Sequence, residues 1–334
     1  MALERDELEI LGGVRFERTL GSPVAVVVRN TEWPKWREEM SPGPGQASRP
    51  ARAPRPGHAD LAGMLKYDTK DARDILERAS ARETAARTIA GYLAKQLLST
   101  VGIDVLSHVV ALGPVVAANV TPPRPADRDR IDASPVRTAD PTAEAAMVAA
   151  IDAAKADRDT LGGVVEVLVY GVPPGIGSHV HYDRRLDAAL AAALMSIQAI
   201  KGVEIGDAFA VAGRRGSEAH DEIYYDDEGF TRRTDRAGGI EGGMSIGETI
   251  RLRAAMKPIS TLMRALDTVE VTTKQPEKAI RERSDVVAVP AAGIVAEQMV
   301  AIVLAQEMQR KFGGDTVADF VAAVDAYRGR IDAY

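Results

Sequence analysis

The stretch DRRLDAALAAALMSIQAIKG, residues 183–202, limits the fold more than any other. It has helical character, with small or apolar residues on nearly every side. A helix apolar all round is buried all round, so the chain must supply layers that enclose it, and its alanines let those layers come close. Two further helices are predicted. SARETAARTIAGYLAKQLL opens with Ser80 as N-cap and Glu83 three residues on, a capping-box pattern. Ala86, Ile89, Ala90, Leu93 and Leu97 then form one stripe at helical spacing. AAGIVAEQMVAIVLAQEMQRKFGG is a third long helix, stopped by paired glycines.

The remainder reads as strands in hairpin-like runs. ELEILGGVRFERTLGSPVAVVVRN is punctuated by Gly12–Gly13 and Gly21–Ser22–Pro23, and its VAVVV is a β-branched core strand. VVEVLVYGVP (164–173) alternates like a strand. VEIGDAF, DEIYYDDEGFTRR, TVEVTT and DVVAVP are further candidates. Regular strand–helix alternation is missing, so the fold class is α+β, a β-α-β sandwich with antiparallel sheets packed around central helices. The chain is read as a single domain. Residues 41–57, SPGPGQASRPARAPRPG, are a flexible Pro/Gly/Arg loop carrying Arg49, Arg52 and Arg55.

Composition narrows the class of function. Hydrophobic residues make up 46% and charged residues 27%, as in a folded protein. With no cysteine, disulfides, cysteine-ligated metals and a cysteine nucleophile drop out, and a reducing cytoplasm fits. MALERDELEILGG lacks the apolar core of a signal peptide. The apolar-rich run LDAALAAALMSIQAI is too short to span a bilayer. A net charge of −6 argues against a general nucleic-acid binder.

Several stretches could carry chemistry. In RPGHADLAGMLKY, His58 leaves a constrained turn and could act as an acid or base, although one loop histidine alone is more often just polar. RASARET sets Arg78, Ser80 and Arg82 at a helix start, which suits an anion or an ordinary solvated cap about equally. SHVHYD offers His179, His181 and Asp183, but a polar turn before a helix fits better than a metal site. RRTDRAGGIEGGMSIG lacks both the G-x-G-x-x-G spacing and the Walker ending, yet its glycines permit close backbone approach to a ligand. Lys257, Ser260 and Thr261 around a proline turn could grip a phosphate, and Arg283 with Asp285 is by itself a surface pair of small worth.

Taken in order, RPGHADLAGMLKY, RASARETAAR, SIQAIKGVEIGDAF, RAGGIEGGMS, RAAMKPIST and RSDVVAVPAAG closely resemble signatures of chorismate synthase, with wording most like the actinobacterial branch. The resemblance runs from about Leu3 to the final helices. It implies a lyase of the shikimate pathway, on the way to the aromatic amino acids. The reaction is 1,4-elimination of phosphate from 5-enolpyruvylshikimate-3-phosphate, giving chorismate. It also implies reduced FMN as cofactor, NADPH only as reductant, a homotetramer, and no nucleic-acid or membrane partner. FMN contacts would fall on Arg78, Ala79, Ser80, Gln198, Ala199, Gly242, Lys257, Pro258, Ile259, Ser260, Thr261 and Arg283. By the same resemblance, His58 protonates the reduced flavin and Asp285 assists deprotonation. Arg55, Arg82 and Arg283 hold the anionic substrate.

Three departures from the family pattern stand out. Family members carry several dozen residues before the equivalent of LERDELEILGG, including a second catalytic histidine and an arginine-rich stretch. Without that segment, early strands and a paired sheet edge are expected to be missing. Asp235 and Ile246 stand where the family usually has asparagine. The ARAPRPG region is shortened before Arg55. Three explanations are open: a chorismate synthase whose start lies further upstream, an impaired paralogue that keeps an FMN or anion pocket without turnover, or a degraded copy with a structural role.

Overall fold

The computed structural model describes residues 7–118, 121–227, 229–282 and 284–334. By contacts the chain divides into two compact units, Met1–Ala86 with Ser260–Asp285, and Arg87–Ile259 with Val286–Tyr334.

The larger unit is built on a five-stranded antiparallel sheet. Its spatial order is Val115–Val116, Asp104–Leu112, Gly163–Tyr170, Ile250–Met256 and Ile200–Ile205. Register pairs Ile250 with Val169, Leu252 with Val167 and Ala254 with Val165. Because side chains alternate across a strand, these residues share one face with Val105, and all are buried there. The long helix Val289–Phe312 lies on that face. Leu106, on the opposite face, is covered by Ile131 and Ala139. A sheet clad on both sides reads as near-continuous apolar sequence, which is why VVEVLV was legible.

The enclosed helix is not the one the sequence suggested. Leu186–Met195 buries Leu186, Leu190 and Leu194 at i, i+4 and i+8, while Ala188, Ala192 and Met195 are exposed. An alanine contributes too little area to say which side must be covered. The helix enclosed on most sides is Val289–Phe312, with thirteen buried residues including Gly293, Glu297 and Gln298. By length and composition it could cross a membrane, and 67% of its most apolar window is buried inside this unit. It ends at Gly313, with φ +63°.

The helix Thr84–Ser99 also turns a different side inward. Gly91 and Leu98 are buried, whereas Ala86, Ala90 and Leu93 of the expected stripe are exposed. The reason is a close crossing: a Cβ on Gly91 would sit 2.2 Å from Gln298 Cβ and 2.6 Å from its Cα. Apolar periodicity cannot register a contact made by a missing side chain.

Other elements were shorter than read. VEIGDAF stays extended only to Ile205, turns at Gly206 (φ +59°) and continues as the short helix Ala208–Ala212. DVVAVP forms a single parallel bridge, Leu161 with Val287, because the helix takes over at Val289 with Pro290 in its first turn. The run 221–233 forms the hairpin Ile223–Asp226 with Gly229–Arg232, as expected.

In the smaller unit, Glu7–Gly12 pairs antiparallel with Ala25–Arg29. VAVVV is therefore a strand but not a core one, since its inner valines are only half-buried. Across from it, Leu8, Ile10 and Leu11 are about 60% exposed. TVEVTT contributes only Asp267–Val269, paired with Pro276–Lys278. Residues 41–57 have no regular structure, and 41–50 are exposed. From Ala51 the chain is pinned: Val271 N donates to Arg52 O, Ile280 N to Ala53 O and Thr268 Oγ1 to Pro54 O. Ala51, Met64, Ala72, Ile75 and Val271 form the small core beside it.

Candidate active site

Arg55 and His58 are brought together at the end of this pinned segment. Gly57, with φ +77°, makes the turn, and His58 N donates to Arg55 O at 3.3 Å. Asp60 follows at the first position of the helix Asp60–Tyr67, where the helix dipole favours a negative charge. Its side chain is fully buried, and Arg55 is 7% exposed. Oδ2 of Asp60 accepts from Arg55 N at 3.0 Å and Arg55 Nε at 2.9 Å. Oδ1 accepts from Arg55 Nη2 at 3.1 Å and lies 2.5 Å from His58 Nδ1. Arg55 Nη1 donates to Thr261 Oγ1 at 2.7 Å, so Thr261 joins the same cluster. Burial works against ionisation of Asp60. The hydrogen bonds from His58 and Arg55 outweigh it and hold the carboxyl well below the usual range.

This cluster borders a cleft of about 480 Å³, lined by residues 54–58, Leu61, Ala62, Leu65 and Thr268. Its arrangement is a buried carboxylate, an imidazole held by it, and a desolvated guanidinium alongside. Such a set can hold an anion and move a proton. Sequence reasoning found His58, Arg55 and Thr261. It missed Asp60, whose signal was the i, i+2 spacing in GHAD.

The other expected residues of this unit lie at the end of the helix Arg73–Ala79 and beyond it. Arg78 is exposed and Ala79 half-buried. Ser80 is the expected N-cap, but of the short 3₁₀ turn Ala81–Glu83 that precedes Thr84–Ser99; its Oγ accepts from Arg82 N at 3.2 Å. Arg82 and Asp285 are exposed and Ser260 is half-buried. Arg283 lies outside the described residues.

In the larger unit, two distant segments meet. Lys257 N donates to Ala199 O at 3.0 Å, where Ala199 takes a left-handed φ of +66° beside half-buried Gln198. Thr160 Oγ1 donates to Ile259 O at 2.7 Å, and Pro258 is exposed. Gly162 makes this possible, since a Cβ there would lie 2.3 Å from Met256 O.

The glycine-rich stretch resolves into two kinds of glycine. Gly242 and Gly243 form the tip of the hairpin Ile240–Glu241 with Met244–Ser245, with φ of +58° and +82°. Positive φ at both central residues is the demand of a type I′ turn. A Cβ on Gly238, Gly239 or Gly243 would strike neighbouring backbone at 2.4 to 2.8 Å. At Gly242 a Cβ would meet nothing within 4 Å. Three glycines thus serve the chain's own packing, and Gly242 is the one with open space over it.

Two carboxylates brace this stretch. Asp221, 6% exposed, accepts from Thr234 Oγ1, Arg236 N and Ala237 N. Asp235 Oδ1 accepts from Gly239 N at 2.8 Å, so it serves the backbone much as an asparagine oxygen would. Burial pushes its pKa up to about 6, against the Gly239 bond and the Arg251 charge. Ile246 N donates to Gly239 O at 3.1 Å. His181 stands at the N-cap position of the turn Tyr182–Arg184, without a side-chain cap hydrogen bond, and the turn leads into Leu186–Met195.

An antiparallel α+β fold with a histidine–arginine–carboxylate cluster on a cleft is an arrangement suited to handling protons and anions. The family model for chorismate synthase matches residues 1–309. A chorismate synthase of Acidothermus cellulolyticus is 64% identical over 98% of this chain and 86% of its own length. That of Salinispora tropica is 63% identical, covering 96% and 84%. A crystal structure of a chorismate synthase superposes with a TM-score of 0.79 at 38% identity, covering 98% of this chain and 86% of that one. The chain belongs to the chorismate synthase family, the lyases that form chorismate in the shikimate pathway.

Proposed function

We propose that the chain releases phosphate from 5-enolpyruvylshikimate-3-phosphate by 1,4-elimination, forming chorismate with reduced FMN as cofactor. The observation that carries this reading is the Arg55–His58–Asp60–Thr261 cluster on its cleft. A phosphate dianion leaves only where fixed cations meet its charge and water is scarce. Arg55 is already desolvated and aligned, so it acts without reorganising. Arg82 and Arg283 complete the anion grip. His58 gives a proton from its ring, and Asp285 assists in removing the ring proton of the substrate.

The residues present fit a flavin. Gly242 offers backbone with open space, and the junction of Ala199 with Lys257 joins two of the expected contact segments. Gln198, Ala199, Gly242 and Lys257–Ile259 would hold it, with Arg78, Ala79, Ser80, Ser260, Thr261 and Arg283. Bound reduced FMN supplies transient electron density that helps phosphate leave. NADPH serves only as reductant. The chain works in the cytoplasm as a homotetramer of single-domain subunits, and of the loop 41–57 the exposed part, 41–50, is the flexible one.

The test is an anaerobic titration of the chain and photoreduced FMN with the substrate. A substrate-dependent change in the flavin spectrum with release of phosphate is expected. Silence in both signals contradicts the proposal.

A further inference from the structure

We propose that Asp60 is a positioning residue: its buried carboxylate fixes His58 as the Nδ1–H tautomer and holds Arg55 beside the ring, leaving Nε2 as the nitrogen that gains or gives a proton. The proposal rests on His58 being the proton-handling residue of the reading above.

The geometry leaves little choice of roles. Asp60 is fully buried and takes four contacts: Arg55 N and Nε on Oδ2, and Arg55 Nη2 and His58 Nδ1 on Oδ1. Arginine only donates, and an ionised carboxylate only accepts. His58 Nδ1 faces Arg55 Nη2 at 3.1 Å as well as Asp60 Oδ1 at 2.5 Å. It could accept from the first or donate to the second, and the shorter contact to a buried anion decides for donation. The hydrogen bond at one ring nitrogen sets the state of the other, so Nε2, 3.4 Å from Arg55 Nη2, carries the lone pair. The same carboxylate fastens Arg55 through Nε and Nη2, while Thr261 fastens Nη1. One side chain therefore sets the proton's location and the cation's position together. A purely structural Asp60 would only tie the 54–58 segment to the helix Asp60–Tyr67, and would leave the tautomer indifferent to its charge.

The first test needs no turnover. Long-range ¹H–¹⁵N spectra of histidine-labelled wild-type chain, with the His58 signals assigned through His58→Gln, are expected to show a protonated Nδ1 and a bare Nε2 in the neutral ring. In Asp60→Asn the amide oxygen stays with Arg55 N and Nε, so the amide N–H groups face Nδ1, and Arg55 Nη2 loses its acceptor at Oδ1. The tautomer is expected to invert to Nε2–H. An Nε2–H ring in the wild type overturns the proposal, and so does an unchanged tautomer in Asp60→Asn. The wild-type arm stands even if the variant does not fold. In turnover, Asp60→Asn is expected to lower kcat by roughly 10²–10⁴-fold and shift its pH profile, with KM moving by less than about tenfold. A kcat within about threefold of wild type overturns it. Should the wild type release no phosphate, the functional reading fails, while the tautomer still decides the role of Asp60.

Discussion

Glu297 shows how much a single buried residue can organise. It sits on the central helix Val289–Phe312 at 2% exposure and accepts from Ser107 N and Oγ at 2.8 and 2.7 Å. Lys95 Nζ lies 2.6 Å away, Arg137 Nη2 3.2 Å and Arg128 Nη1 3.6 Å. Removing the charge leaves three cations without their shared anion, and losing one partner of a buried pair costs about 3–5 kcal/mol. Glu297→Gln is expected to lose about 3 kcal/mol in denaturant unfolding; a loss below about 1 kcal/mol would show that the cations find solvent instead.

Asp235 works in the other direction. Its folded pKa of about 6 lies above the unfolded value near 3.8. The folded chain therefore holds a proton that the unfolded chain has lost, and stability falls as pH rises from about 4 through about 6. Asp235→Asn keeps the acceptor for Gly239 N and removes this loss. It is expected to raise stability at pH 8 by up to about 3 kcal/mol, and hardly at all at pH 4. A gain that is equal at both values would rule out the titration.

At the scale of elements, close approach decides what the hydrophobic pattern cannot. The hairpin at 223–232 and the stop at Gly313 were legible because turn and cap chemistry is local, whereas the helix read over 183–202 ends at Met195 and its last residues belong to the strand Ile200–Ile205. Which side each helix buries was not, because it depends on where a neighbour comes near. Gly91 is the clearest case. Gly91→Ala puts a methyl against Gln298 backbone and is expected to cost about 1–3 kcal/mol. At Gly329, in the helix Val317–Asp332, a Cβ meets nothing within 4 Å. Gly329→Ala should stabilise by about 0.5–1 kcal/mol, so measuring both by thermal unfolding separates helix propensity from packing. The candidate site divides the same way. His58 and Arg55 were named through the resemblance of RPGHADLAGMLKY to a family signature, whereas Asp60 acquires its meaning from burial and from the turn at Gly57. The glycines of 238–243 were legible as a group, but the open space above Gly242 belongs to the folded hairpin.

Across the whole molecule, carboxylates held below their ordinary range set the response to acid. Asp60, Glu166, Asp207 and Asp221 each overcome a burial penalty through hydrogen bonds and nearby cations. Glu166 lies 3.0 Å from His108 Nε2 and accepts from Arg253 Nε at 2.8 Å, forming a polar row across three central strands. Depressed pKa values contribute stability that is present above the unfolded values near 4 and lost as pH falls below them. Stability is therefore expected to fall as pH drops below about 4, and a midpoint unchanged between pH 6 and pH 3 would contradict it. Leu8, Ile10 and Leu11 in the smaller unit, and Tyr92, Leu93 and Met195 in the larger, are exposed.

The most direct measurement of the central claim is one anaerobic assay run on wild type and His58→Ala. Each chain is mixed with photoreduced FMN and 5-enolpyruvylshikimate-3-phosphate, and chorismate and phosphate are followed together. Equal amounts of both products from the wild type, falling by roughly 10²-fold or more in His58→Ala, are the predicted result. Product formation indifferent to His58, or none from the wild type, would contradict the account.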